Sequence, residues 1–414
     1  MKEYIKAVSG YIRENAPKML KPTDGVFNHP FLDPGAMYAN NLWDWDSYWS
    51  AKALLEYCEY YKNSPDFDYD KMREKIIVHI KGNILNFFDQ QLDDGFIPMT
   101  VTATGLMSSL LKDEHLAGKK VNQHKPFLCS GTLNASKAVN DFSWFDATPL
   151  KKYLAYYDKY QFDEKSGLYF WRNDVMIGVD NNPTVFGFPE DCCSDVYLNC
   201  FLYSEFCAMH EILESRGESD VYYLGKAENL KSAIRSELYD ARDDLYYSAY
   251  LDIKTRKTEN FHHGLGVFWK SIPIKIRFWG CFLPIMCGIA TAEEGKAILK
   301  KHYLDKNVSC QYGVRTLAKD EKMYCLEESS NPSNWLGAVW IIANYCVWKS
   351  LKAANMKKEA RDLAKKTVKL LGQDVLENNN MSESYNPETG KPTMEGSFLN
   401  WNVLVIEMMR DLSE

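Results

Sequence analysis

Three short segments of this chain repeat one design at a nearly constant interval, and that interval limits what the chain can fold into. LDDGFIPM (92–99), FDEKSGLYFW (162–171) and LYDARDDLYYSAY (238–250) each read as aspartate, turn, then an apolar and aromatic extension. Gly95 to Gly167 is 72 residues and Gly167 to Asp244 is 77. A period near 75 residues with two helices inside it is a repeated helical hairpin, and between five and six such units fit in 414 residues. That count suits an all-α closed double ring, an (α/α)6 toroid, better than an open superhelix. Apolar residues at helical spacing, such as Ile76, Ile77, Ile80, Ile84 and Phe87, predict helices near 2–16, 47–61, 69–90, 127–140, 148–160, 195–215, 219–238, 291–301, 333–352, 354–375 and 397–412. No βαβ alternation or Gly-rich phosphate loop occurs, which argues against a doubly wound nucleotide-binding fold. No Pro/Gly/Ser linker divides the chain, so residues 1–414 are expected to form one domain.

In a toroid the inner ring opens at one mouth, and long loops between hairpins line it, so loops of unusual composition should carry the function. Four stand out: 24–46, 98–126, 172–194 and 378–396. The first runs into MYANNLWDWDSYW (37–49), where Trp43, Trp45 and Trp49 offer flat apolar faces and Asp44 and Asp46 offer acceptors that are costly to bury without donors. A pyranose, apolar in face and ringed with hydroxyls, satisfies both. A core tryptophan cluster whose aspartates cap a helix starting near Ser47 satisfies them too. The third loop places Asp180 in GVDNNP, with Gly178 permitting close approach, Pro183 fixing the exit, and Asn181 and Asn182 as donors. The fourth places Glu383 in ESYNPETG, ahead of a strong turn. Loop acids of this kind stabilise turns in most proteins. Two carboxylates facing one another across a sugar are also the minimal apparatus of glycoside hydrolysis.

Composition removes several alternatives. Net charge is −7 and the pI about 5.7, and basic residues form no stripe, which argues against nucleic-acid or anionic-membrane partners. Eleven cysteines, two of them adjacent at Cys192-Cys193, rule out a complete disulfide framework. No CxxC pair or zinc-like Cys/His spacing occurs, so no metal or cofactor is expected, and buried free thiols in a reducing cytoplasm are. His262-His263 lacks a third ligand and Cys192-Cys193 lacks a base, so both read as structural; Glu388 reads as a turn residue. The first twenty residues carry charges every few positions, unlike a secretory signal, and no run reaches 18 apolar residues. A soluble cytoplasmic protein acting on a small molecule is the expectation.

The ordered set WDWDSYW, NQHKPFL, GVDNNP, YGVRTL, NWLGAVWIIANY, ESYNPETG and SFLNW, with FLPIMCGIATAEEGKAIL (282–299), resembles the α-toroid glycosidases of glycoside hydrolase families 63 and 37. These include processing α-glucosidases, trehalases and bacterial mannosylglycerate and glucosylglycerate hydrolases. The resemblance runs from about Pro34 to Trp401. It implies an inverting exo-acting α-glycosidase, with Asp180 as general acid and Glu383 as general base. It further implies a sugar held by Trp43, Asp44, Trp45 and Asp46, with Gln123, Asn181, Trp335, Gly337, Trp340, Tyr385 and Trp401 completing the pocket. Burial among Phe186, Tyr385 and the tryptophans would raise the acid's pKa.

The chain departs from the pattern in places. Met176-Ile177-Gly178 replaces the Glu-Ser-Gly of trehalases, Thr184 to Phe186 follow the acid where trehalases place arginine, and His124-Lys125 precede Pro126 in the Q-P-P loop. These weaken a trehalase-like reading. Met176 also leaves room for a saccharide-binding toroid whose catalysis has lapsed. The bare toroid length points to a short α-glucoside or α-mannoside, a disaccharide or a glycosylglycerate. For a carboxylated aglycone Lys125, Arg172 and Arg315 are the candidate cations, each read more readily as a solvated surface charge.

Overall fold

The computed structural model describes residues 1–414 apart from 36–37, 254–267, 328–332, 395 and 414. Its helices are, in order, α1 (Lys2–Asn15), α2 (Asp44–Tyr61), α3 (Tyr69–Phe88), α4 (Leu106–Leu116), α5 (Leu128–Val139), α6 (Thr148–Tyr160) and α7 (Val196–Ser215). Then follow α8 (Tyr222–Ala233), α9 (Leu283–Met286), α10 (Ala292–Ile298), α11 (Ile341–Ala353), α12 (Lys357–Asn378) and α13 (Val405–Ser413). Burial sorts them into two layers. In α11 ten of thirteen residues are buried and in α7 thirteen of twenty, so these helices meet protein on almost every side. In α12 only nine of twenty-two are, along the stripe that includes Ala360, Leu363, Thr367, Val368 and Leu371, as befits a helix with one face in water.

The buried helices close on themselves. α2 packs on α5, α5 on α7, α7 on α9, α9 on α11, α11 on the 3-10 turn Asn400–Leu404 that leads into α13, and that turn on α2. Helices α1, α3, α6, α8, α10 and α12 form the outer layer, giving the expected (α/α)6 toroid. Aromatic side chains fill the ring: Trp49 of α2 lies 5.9 Å from Phe127, 6.2 Å from Phe201 of α7 and 6.1 Å from Tyr345 of α11.

The repeated segments join outer helices to inner ones. Phe162–Asp163 pairs with Leu168–Tyr169, and Tyr239–Asp240 with Leu245–Tyr246, as tight antiparallel hairpins after α6 and α8. The segment after α3 is a turn closed by the Leu92 amide donating to Phe96 at 2.9 Å. Gly95 there has φ +98°, and a Cβ would stand 2.2 Å from the Lys152 carbonyl oxygen. A fourth hairpin, Ser309–Cys310 with Gly313–Val314, takes the same place after α10.

Three elements differ from expectation, one of them the inner helix α9 (Leu283–Met286), which falls in no predicted helix. The helix predicted from 333 starts at Ile341, because Val339–Trp340 pairs with Ser384–Tyr385 as extended strand. Helix α4 forms inside the stretch read as loop 98–126, started by Gly105 at φ +71°. All eleven cysteines are free thiols, most of them buried. Among the described residues no helix is long and apolar enough to cross a membrane. His262 and His263 lie outside the described residues.

Candidate active site

Each outer-to-inner connection delivers its chain to the N-terminal end of an inner helix, and there, among the described residues, five of the six connections enclose a cavity of about 510 Å³. Tyr38 and Trp43 come from the connection before α2, and Met99 and Lys125 from the one before α5. Asp174 to Phe186 come from the one before α7, Ser333, Trp335 and Trp340 from the one before α11, and Glu383 from the one before Asn400. Asp44, Trp45 and Asp46 on the first turn of α2, and Trp401 on the last inner element, complete the wall. All four loops singled out in the sequence therefore contribute. Residues 333–340, read as helix, are a fifth.

Asp180 is held by its neighbours. The Asn182 side chain folds back to accept from the Thr184 amide and hydroxyl, and donates to Asp195 at 3.1 Å. Asp195 also caps α7 through the Tyr197 amide and accepts from Ser248 at 2.9 Å, so the acid loop is riveted to the inner ring. Asn181 does not point its amide at the cavity alone. It accepts from the Trp335 amide at 3.0 Å and donates to Asn334 at 3.2 Å, bracing the acid loop against the Trp335 wall.

Glu383 precedes the short strand Ser384–Tyr385, which is pinned from behind by α12. Asp374 Oδ2 accepts from the Ser382 amide at 2.9 Å, the Ser382 hydroxyl at 2.8 Å and the Tyr385 hydroxyl at 2.8 Å. Burial, then the charges of Asp46 and Asp180, push the Glu383 carboxyl well above its ordinary range, while a hydrogen bond from the Tyr38 hydroxyl draws it back down. Asp46 is pushed up to about 7, first by burial, then by Asp44 and Asp180, against the lowering effect of Lys125. One Asp46 oxygen accepts from Asn400 of the last inner element.

Asp44 is fully buried and fully engaged: it accepts from the Trp45 amide at 2.6 Å and the Lys125 amide at 2.6 Å, and lies 2.8 Å from the Lys125 ammonium. Among the described residues, that leaves Asp46 as the aspartate of the opening motif with an oxygen to spare for a ligand. The tryptophans line the floor. Trp335 and Trp340 stack at 4.1 Å, and Trp45 meets Trp401 edge-on at 6.1 Å. The indole N–H groups of Trp43, Trp45, Trp335 and Trp401 are buried without a hydrogen-bond partner among the described residues, and the four rings give the cavity apolar walls beside its carboxylate acceptors. Such a set suits a polyhydroxylated ring.

Three residues assigned to the pocket stand behind it. Gln123 donates to the Tyr153 carbonyl at 3.2 Å, Tyr385 is wholly buried with its hydroxyl on Asp374, and Gly337, at φ +135°, fits its backbone against the Tyr324 ring. The reading of Lys125, Arg172 and Arg315 as solvated charges is corrected. All three are buried, Lys125 paired with Asp44, Arg172 with Asp191 at 2.8 Å, and Arg315 with Glu388 at 2.9 Å. Sequence reasoning misses Tyr38, Met99 and Asp174. Only their place in the three loops marks them, since no residue pattern does. Among the described residues no cluster of three or more His, Cys, Asp or Glu side chains is arranged to hold a metal.

The family model of the mannosylglycerate hydrolase MGH1-like glycoside hydrolase domain matches residues 82–401. Among solved structures, the GH63 mannosylglycerate hydrolase from Thermus thermophilus in complex with Tris and D-glycerate aligns with a TM-score of 0.67 at 15% identity, covering 97% of this chain and 100% of its own. The same hydrolase in complex with glucose aligns at 0.66 and 15%, covering 96% and 99%. Neutral trehalase from Saccharomyces cerevisiae aligns at 0.59 and 14%, covering 93% of this chain and 74% of its own. These likenesses establish the fold, and no curated protein matches the chain. With the family model spanning most of its length, the chain belongs to the mannosylglycerate hydrolase MGH1-like family of glycoside hydrolases.

Proposed function

We propose that the protein is a single-domain, cytoplasmic, inverting exo-acting α-glycosidase of short α-glucosides or α-mannosides, with Asp180 as general acid and Glu383 as general base. The observation that carries this is the meeting of Asp180 and Glu383, 203 residues apart in sequence, in one tryptophan-floored cavity whose size suits a small saccharide. The inner ring fills the space beneath the floor, which favours attack at a chain end over cleavage within a chain. Asp180 protonates the departing glycosidic oxygen, and Glu383 takes a proton from the water that attacks the anomeric carbon from the opposite face. Asp46 accepts from hydroxyls of the glycone, and the tryptophan faces pack against its apolar side. Glucose and D-glycerate, the ligands of the Thermus thermophilus structures, support a small glycoside as substrate.

Asp180→Asn and Glu383→Gln should each lower kcat by about 10²–10⁴ with the fold intact by circular dichroism. Near-wild-type turnover by either variant removes that residue from the mechanism. Proton NMR of hydrolysis over α-linked disaccharides and glycosylglycerates should show the β-anomer forming first. An α-anomer formed first from the glycone refutes inversion.

A further inference from the structure

Lys125 is buried, lines the cavity and touches three elements at once. Its ammonium lies 2.8 Å from Asp44 on the first turn of α2 and donates to the Met176 carbonyl at 3.2 Å, at the entry to the loop that carries Asp180. Its amide donates to the other Asp44 oxygen at 2.6 Å, and its carbonyl accepts from the Tyr153 hydroxyl of α6 at 2.8 Å. With both backbone groups held, the side chain is presented to one place, and a buried ammonium that left its carboxylate would strand both charges.

The loop it reaches is built to need a tie. Met176 has φ +55° and Gly178 φ +88°, two left-handed residues within three positions. Glycine adopts that region freely, whereas methionine does so only where its surroundings hold it. The Lys125 ammonium on the Met176 carbonyl is such a hold, beside Asn122, which donates to the Val175 carbonyl at 3.0 Å. Gly178 supplies the room, since a Cβ there would stand 3.0 Å from Lys125 Cδ and 3.2 Å from Cε. Asp180 follows two residues later, and its exit side is already fastened through Asn181 and Asn182.

We propose that Lys125 is a positioning residue of the hydrolytic reaction. By tying the entry of the Asp180 loop to the turn that carries Asp44 and Asp46, its ammonium sets the place of the general acid over the bound glycone. This rests on the reading of Asp180 as that acid. The test compares two kinds of substrate. The aglycone of an O-glycoside departs with a proton from Asp180, whereas fluoride leaves an α-glycosyl fluoride as the anion and needs none. The substrates are α-glucosyl and α-mannosyl fluoride and the α-linked disaccharide or glycosylglycerate that the protein hydrolyses fastest. kcat is measured for the wild-type protein, Asp180→Asn, Lys125→Met and the double variant Lys125→Met/Asp44→Asn, which leaves no unpaired carboxylate to unfold the chain. Both Lys125 variants should lose about 10²-fold on the O-glycoside and no more than about tenfold on the fluoride, the pattern Asp180→Asn shows more strongly. An equal loss on the two substrates makes Lys125 structural only and overturns the inference, as does no loss on either. If Asp180→Asn itself spares the O-glycoside, or the wild-type protein hydrolyses neither kind of substrate, the reading of the acid falls and the inference falls with it.

Discussion

The Tyr38 hydroxyl donates to Glu383, and the consequence can be read in a pH profile. As the proposed general base Glu383 must be ionised, so activity should fall on the acid side as it takes up its proton. Because burial and the neighbouring carboxylates raise Glu383, that limb should lie above the ordinary glutamate range. Tyr38→Phe removes the hydrogen bond that lowers it, so the acid limb of kcat/KM should move to still higher pH. A lowered kcat with an unmoved limb assigns Tyr38 a packing role only. Asp374 acts on the same residue from behind. With Asp374→Ala the Ser382 amide and the Ser382 and Tyr385 hydroxyls lose one shared acceptor. Stability should drop by about 3 kcal/mol, read by denaturant titration, and kcat should drop with it as the Glu383 strand loosens. Residue identity and motif order in the sequence single out Asp180 and Glu383, and both line the cavity. They are not enough for Lys125, whose partner Asp44 is 81 residues away, because burial of a cation depends on a contact that no local pattern encodes.

Helices are legible wherever one apolar stripe runs through a polar background, as in α1, α3, α6 and α12. The start of α11 is not, because NWLGAVW is apolar enough for either a helix or a buried strand, and tertiary pairing with Ser384–Tyr385 decides. Helix α4 escapes notice because its Leu106, Leu110 and Leu116 face outward and blur the stripe. The turn before α11 depends on Gly337. Its φ of +135° and a prospective Cβ 2.3 Å from the Tyr324 ring leave no room for a side chain. Gly337→Ala should therefore cost about 1–3 kcal/mol and raise KM more than it lowers the melting temperature of the ring, since Trp335 and Trp340 flank it on the cavity wall. A melting shift with unchanged KM would detach this turn from substrate binding.

At the scale of the whole molecule, several buried carboxylates make stability depend on pH in an unusual direction. Burial raises Asp195 to about 6 and Asp46 and Glu205 to about 7, although Glu205 accepts two backbone amides at the start of α5, from Cys129 at 2.7 Å and Ser130 at 2.8 Å. Unfolded, such groups titrate near 4. Between about pH 4 and 7 these carboxylates hold protons that the unfolded chain has released, so their contribution to stability falls as pH rises, opposed in the lower part of that window by His124, which burial lowers to about 4. The melting temperature should be higher at pH 5 than at pH 8, and Glu205→Gln should flatten the difference.

The ring is closed by a seam between its first and last inner elements, where Ser50 and Asp46 of α2 meet Asn400. Ser50 and Asn400 are 350 residues apart. On a ribosome adding roughly 5–20 residues per second, α2 is made roughly 20–70 s before the segment that covers it. For that interval its inner face lacks its last neighbour and the cavity has no Trp401. The appearance of activity on a nascent chain is therefore timed by the speed of translation, and a slow codon shortly before that for Asn400 would delay it as surely as a slow folding step.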